Sequence, residues 1–156
     1  MEQTLILIKP DAIQRELIGR IINIFERKGL KIIGLKMMQL TDKLLEDHYS
    51  HLADKPFFGE IKEFMSSTPV ICMCLEGIES VETVRRMTGI TLSREAGPGT
   101  VRGDLAMGIQ SNLIHASDSK ENAKLEVARF FNKNELFYYN KVLDSIVYAK
   151  KELNTE

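Results

Sequence analysis

Two short runs, Leu5-Ile6-Leu7-Ile8 and Val70-Ile71-Cys72-Met73-Cys74-Leu75, contain no charged or strongly polar residue. A strand with one face in water alternates polar and apolar side chains. An unbroken apolar run of this length belongs instead to a strand covered on both faces. The fold therefore needs two such strands, far apart in sequence. Lys9-Pro10 ends the first run and Gly77 the second, and the rest of the chain is read around them.

Ile18, Ile21, Ile22 and Phe25 fall at helical spacing, with Gly29 as the stop. Lys31 to Leu40 reads as a strand. Thr41 caps a helix bearing Leu44, Leu45, His48, Tyr49 and Leu52, and Pro56-Phe57-Phe58 separates it from a shorter helix with Ile61, Phe64 and Met65. Val81 and Val84 mark another helix, flanked by Arg85. Between Gly89 and Gly108 lie five of the ten glycines, with Arg94, Thr100 and Arg102 among them. A loop of this length and composition suits phosphate binding or plain flexibility equally well. Leu113-Ile114 reads as the end of a buried strand and His115 as part of the turn that follows. Asp118 is the expected N-cap, with Glu121 completing a capping box, for a helix from Ser119 to Phe131. The order β, α, β, α-hairpin, β, α, long loop, β, α predicts one α+β domain over residues 1–156. Its expected form is a ferredoxin-like, four-stranded antiparallel sheet (βαββαβ), with helices on one face and the glycine-rich loop before the last strand.

A net charge of −1 argues against a general nucleic-acid or membrane-surface binder. No basic region precedes a long apolar stretch, so neither a signal peptide nor a membrane span is expected. Cys72 and Cys74 alternate on one strand face and lack zinc or thioredoxin spacing; buried, inert thiols and a reducing, cytoplasmic setting are expected. His48 and His51 stand three apart with no acidic or cysteine partner at ligand spacing, and read as surface or flank residues rather than metal ligands. No P-loop, dinucleotide fingerprint or protein-kinase signature occurs.

The chemistry concentrates around His115. A histidine at a strand–helix junction sits beside unpaired N–H groups, a natural place for phosphate. Glu126 lies on the margin of the apolar stripe of the following helix, where its carboxylate can turn inward and orient an imidazole. Taken alone, this pattern also describes a capped helix behind an incidental histidine. Lys9 either terminates its strand or reaches into a site at the strand's end. Tyr49 shares an apolar stripe, so packing is its default role.

Four segments, Lys9-Pro10-Asp11, Pro56-Phe57-Phe58, Pro98 to Asp104 and Asn112-x-x-His115-x-Ser117-Asp118-Ser119, occur in the order and spacing of nucleoside diphosphate kinases. From about Thr4 to Tyr148 the chain closely resembles that family. The resemblance implies transfer of the terminal phosphate of a nucleoside triphosphate, such as ATP, to a nucleoside diphosphate through a phosphohistidine. It implies His115 as nucleophile, Glu126 as its orienting carboxylate and Ser117 as support for Glu126. Lys9, Tyr49, Arg85, Thr91 and Arg102 would hold phosphates, and Lys9 and Asn112 would meet the sugar. Phe57 would stack on the base, with Ile61 and Ile109 completing the slot. Mg2+ would be carried on the nucleotide phosphates, with Asp118 as a neighbour through water and no direct side-chain ligand. A homo-oligomer is implied, a hexamer rather than a tetramer. The chain departs from the usual pattern at Ala12 and Ala116, where glycine is common, and at Leu92-Ser93 after Thr91. The contrasting reading is a non-catalytic nucleotide- or nucleic-acid-binding module, but the strands lack the exposed aromatics of RNA-binding sheets.

Overall fold

In the computed structural model, which describes residues 1–153, the sheet comprises β1 (Glu2–Ile8), β2 (Lys31–Met38), β3 (Val70–Gly77) and β4 (Ile114–Ala116). Their spatial order is β2-β3-β1-β4, all antiparallel. The two apolar runs are the central pair, with Leu5 opposite Cys74 and Leu7 opposite Cys72. This is the expected ferredoxin-like α+β fold.

Side chains alternate across a strand, so each central strand feeds two cores. Ile6, Ile8, Met73 and Leu75 pack with Ala12 of α1 (Pro10–Gln14), Ile21 and Phe25 of α2 (Ile18–Lys28), and Val84 of α5 (Ser80–Thr88). Leu5, Leu7, Cys72 and Cys74 pack with Leu45 of α3 (Asp42–His48), Met65 of α4 (Phe58–Ser66), and Val127 and Phe130 of α7 (Lys120–Phe130). Helices thus cover both faces, not one. The topology suggested a single layer, but strands apolar on both sides need two. Both thiols are fully buried, and burial pushes each up to about 12.

Local signals set several helix ends. Thr41 Oγ1 accepts from Leu44 N at 3.3 Å, and Gly29 takes φ 99° to stop α2. At α7 the cap is Ser119, which accepts from Asn122 N at 3.1 Å, rather than Asp118, which accepts from the Asn122 side chain at 2.7 Å. The glycine-rich stretch is not wholly irregular: it contains α6 (Val101–Leu105), capped by Thr100. β2 ends at Met38, two residues before the expected Leu40.

The C-terminal segment returns along β2. Phe137 N donates to Ile33 O (2.7 Å), Tyr139 Oη to Ile32 O (2.9 Å) and Lys141 Nζ to Gly29 O (3.1 Å). The short helices α8 (Asp144–Val147) and α9 (Lys150–Leu153) follow. The charged tail expected from Lys150 to Glu156 is helical in its first part; residues 154–156 lie outside the described residues. Among those described, no helix is long and apolar enough to cross a membrane.

Candidate active site

His115 stands in β4 itself, opposite Leu7, and not in a turn after the strand. Directly paired residues share a sheet face, so its imidazole points toward α3 and α7. There Nε2 lies 3.1 Å from each oxygen of Glu126. Ser117, two residues further on the same face, donates to Glu126 Oε2 at 2.6 Å while its Oγ accepts from Leu5 N at 3.1 Å. Burial alone would push the Glu126 carboxyl up. The His115 hydrogen bond and charge, with the Ser117 hydroxyl, outweigh it and leave the group below its ordinary range. An ionised Glu126 can only accept, so Nε2 carries the proton and Nδ1 keeps its lone pair.

The chain reaches β4 through an unusual turn. Leu113 has φ 72°, and Ile114 N donates back to Asn112 O at 2.9 Å. A bulky residue in this region costs roughly 1–3 kcal/mol and persists only where its surroundings hold it. Here they do. Leu113 N donates to Asp11 Oδ2 (3.0 Å), and Lys9 N donates to Leu113 O (2.8 Å). The buried Arg102 side chain donates to Gly89 O (2.7 Å), Asn112 O (3.3 Å) and Ile114 O (2.6 Å). In the sequence Asp11 stands out only as part of the Lys9-Pro10-Asp11 motif. A first-turn acid after Pro10 gave no sign that it would clamp a turn so distant in sequence.

This frame opens onto a cleft of about 550 Å³ whose walls include Lys9, Arg85, Thr91, Arg102, Asn112 and His115. Lys9 Nζ donates to Asn112 Oδ1 at 2.7 Å, and the Asn112 amide donates to Thr91 O and Ile109 O. Lys9, Thr91 and Asn112 also border a second space of about 450 Å³, lined by Phe57, Ile61 and Ile109. The two spaces adjoin across Lys9, Thr91 and Asn112 and make one recess, with Arg85 and Arg102 at the His115 end and Phe57, Ile61 and Ile109 at the other. A larger groove of about 790 Å³ lies by the first residues of β1 and along α7, but contains none of the expected site residues. Burial, with the nearby Arg102 charge, pulls Lys9 down to about 8 against the opposing pull of Asp11.

Most of the expected residues converge. Tyr49 does not line the recess: it is buried, with its ring edge-on and 6.4 Å from that of His115. Ser117 is fully buried behind Glu126, and Asp118 is exposed at the rim. His48 differs from its expected surface position. It is 5% exposed, and its ring meets those of Tyr49, His115 and Phe130 at 4.5, 4.7 and 5.0 Å. The side of α3 that carries it packs against α7 and β4, which spacing within α3 cannot reveal.

The sequence model of the nucleoside diphosphate kinase family matches residues 2–136. A nucleoside diphosphate kinase of Parabacteroides distasonis is 51% identical over 139 residues, 89% of this chain and 91% of that protein. One from Pyrococcus horikoshii is 49% identical over 146 residues, covering 92% and 93%. Among solved structures, a halophilic nucleoside diphosphate kinase from Halobacterium salinarum in complex with CDP superposes with a TM-score of 0.92 at 40% identity, over 94% of this chain and 98% of that one.

Proposed function

The chain belongs to the nucleoside diphosphate kinase family and transfers phosphate between nucleotides; on that premise we propose that the phosphoryl group passes through Nδ1 of His115. The observation that carries this reading is the bond from His115 Nε2 to a buried, ionised Glu126. It leaves Nδ1 as the free nucleophile and offsets the positive charge that the ring gains on attack.

In the first half-reaction the Nδ1 lone pair forms a bond to the terminal phosphorus of a nucleoside triphosphate. The bond to the bridging oxygen breaks, its electron pair stays on the departing diphosphate, and no proton need move. A second diphosphate then reverses the same steps. Lys9, Arg85 and Arg102 neutralise charge on the moving group, in the general manner of phosphoryl transfer. Lys9 and Asn112 meet the sugar. Phe57, 45% exposed at the slot, stacks on any base without reading its edge, with Ile61 and Ile109 beside it. The CDP held by the Halobacterium relative is consistent with a nucleotide in this recess.

The donor set fits a magnesium ion carried largely on the nucleotide, since such sites use one or two carboxylates plus phosphates. Asp118, whose Oδ1 accepts from the Asn122 amide, is the rim carboxylate suited to meet the ion through water, because Asp47 is ion-paired with Arg129 and Glu126 with His115. Bound there, the ion would add positive charge beside the phosphates. We also take the chain as one domain and its working form as a hexamer. Exposed Phe137, Tyr138, Val142 and Ile146, together with the edge strand β2, supply apolar surface for self-association. The non-catalytic binding module is not favoured.

Steady-state exchange between ATP and dTDP tests this reading. Parallel double-reciprocal lines are expected, and intersecting lines would mean direct transfer. Two further outcomes follow. Phe57→Ala should raise KM for purine and pyrimidine diphosphates alike by roughly tenfold, the loss of about 1–3 kcal/mol of stacking, with kcat little changed. A selective loss for one base would contradict stacking. kcat/KM for ATP, which reports the free enzyme, should fall above about pH 8 as Lys9 loses its proton. Lys9→Arg, charged throughout that range, should lower the rate but flatten this limb.

A further inference from the structure

His48 is a buried imidazole whose two nitrogens have no hydrogen-bond partner. Leaving a buried polar atom unpaired costs about 1–3 kcal/mol, so an unpaired ring at the heart of a site calls for an explanation. Its Nδ1 lies 3.9 Å from Glu126 Oε1, the oxygen that also meets His115 Nε2 at 3.1 Å. The donor atoms of His48, His115 and Glu126 all fall within 4.8 Å of one another.

We propose that His48, His115 and Glu126 form a binding site for a transition-metal dication, best fitted by zinc, whose occupancy switches phosphate transfer off. Three observations carry it. First, two imidazoles and one carboxylate are a zinc donor set. Bonds of about 2.0–2.1 Å in a tetrahedron place donors ~3.3 Å apart, so the 3.9 Å His48–Glu126 separation must close by about half an ångström and the widest separation, within 4.8 Å, by up to about 1.5 Å, which side-chain rotation can supply. Magnesium and calcium prefer oxygen donors and would pass this set by. Second, both ring nitrogens of His48 are buried with no hydrogen-bond partner, so the ring has a nitrogen lone pair available to a metal. Third, the supporting shell is in place. Ser117 holds Glu126 Oε2 at 2.6 Å, leaving Oε1 turned toward both rings. The cleft beside His115 can supply a water as the fourth ligand.

The switch follows from the tautomer. A metal on Nε2 takes that nitrogen's lone pair, and the neutral ring then carries its proton on Nδ1. The nitrogen that must attack phosphorus has no lone pair to offer. No net proton leaves the imidazole; it moves through solvent from one nitrogen to the other.

The binding claim needs only the geometry, whereas the switch rests on His115 as nucleophile, so the two are tested separately. Full-length chain stripped with chelator is titrated with ZnCl2 at neutral pH, without nucleotide, in competition with a chromogenic chelator. One zinc per chain is expected, with affinity at least tenfold weaker in His48→Phe and in Glu126→Gln. His48→Phe suits the ring-lined pocket and removes the orphaned nitrogens, so its thermal midpoint should not fall; if it does, Glu126→Gln alone decides. No retained zinc, or equal affinity in wild type and variants, would overturn the site. In the second arm, zinc-loaded wild type is given γ-labelled ATP with Mg2+. It should take up no label until zinc is withdrawn by chelator. Full labelling with zinc still bound would overturn the switch and leave the phosphotransfer reading intact.

Discussion

Replacing His115 with glutamine is expected to lower turnover at least about 10⁴-fold while leaving ADP affinity nearly unchanged. The glutamine amide can still donate to Glu126, so the buried carboxylate keeps a partner and β4 keeps its pairing with β1. What disappears is the ring nitrogen proposed to receive phosphorus. On the proposed reading the phosphates are held by Lys9 and the arginines, so binding should survive. Coupled-assay rates beside calorimetric ADP titrations check both halves. Turnover within tenfold of wild type would remove His115 from the reaction.

Arg102→Lys should produce the second-largest change, and it should appear in stability as well as rate. The guanidinium holds three backbone carbonyls, two of them on either side of the strained Leu113. A lysine offers one point charge in place of a rigid fork. Buried carbonyls left without a donor cost about 1–3 kcal/mol each, and relaxation of the turn would shift both Asn112 and His115. We expect a loss of roughly 3 kcal/mol in urea unfolding and a fall in kcat of about a hundredfold for misplacement on the ångström scale. A destabilised variant with wild-type kcat under folding conditions would separate the clamp from catalysis. The same residue also lines the cleft, so on the proposed reading Arg102 serves both the phosphates and the frame that aims His115.

The parts of this molecule that could be read from sequence are those governed by near neighbours along the chain. The runs at Leu5 and Val70 announced doubly covered strands, and taken strictly they already required helices on both faces. Thr41 and Gly29 acted as their chemistry dictates. Where two adjacent residues could both cap, as with Asp118 and Ser119, spacing could not choose. Either offers an acceptor three residues before a free N–H. Leucine shuns positive φ, so no reading of Leu113 would place it there; the turn exists because Asp11, Lys9 and Arg102 converge on it from other elements. The burial of His48, against the expected surface position, has the same cause, since its neighbours come from β4 and α7. For the recess itself, the nucleotide-holding residues that the resemblance implies all line it but one, whereas wall residues such as Asp47, Ser50 and Phe64 carried no signal. Tyr49 was the exception, and its apolar stripe pointed to the packing role it adopts.

The central claim is that one imidazole carries the phosphoryl group between nucleotides. The chain is mixed with γ-labelled ATP and Mg2+, freed of nucleotide, and digested in alkali. A phosphohistidine requires label on the peptide containing His115, stable in base, lost in acid, and passed to GTP when GDP is added to the intact protein. Formation of GTP with no labelled protein, or label fixed on another residue that still chases to GDP, would contradict it.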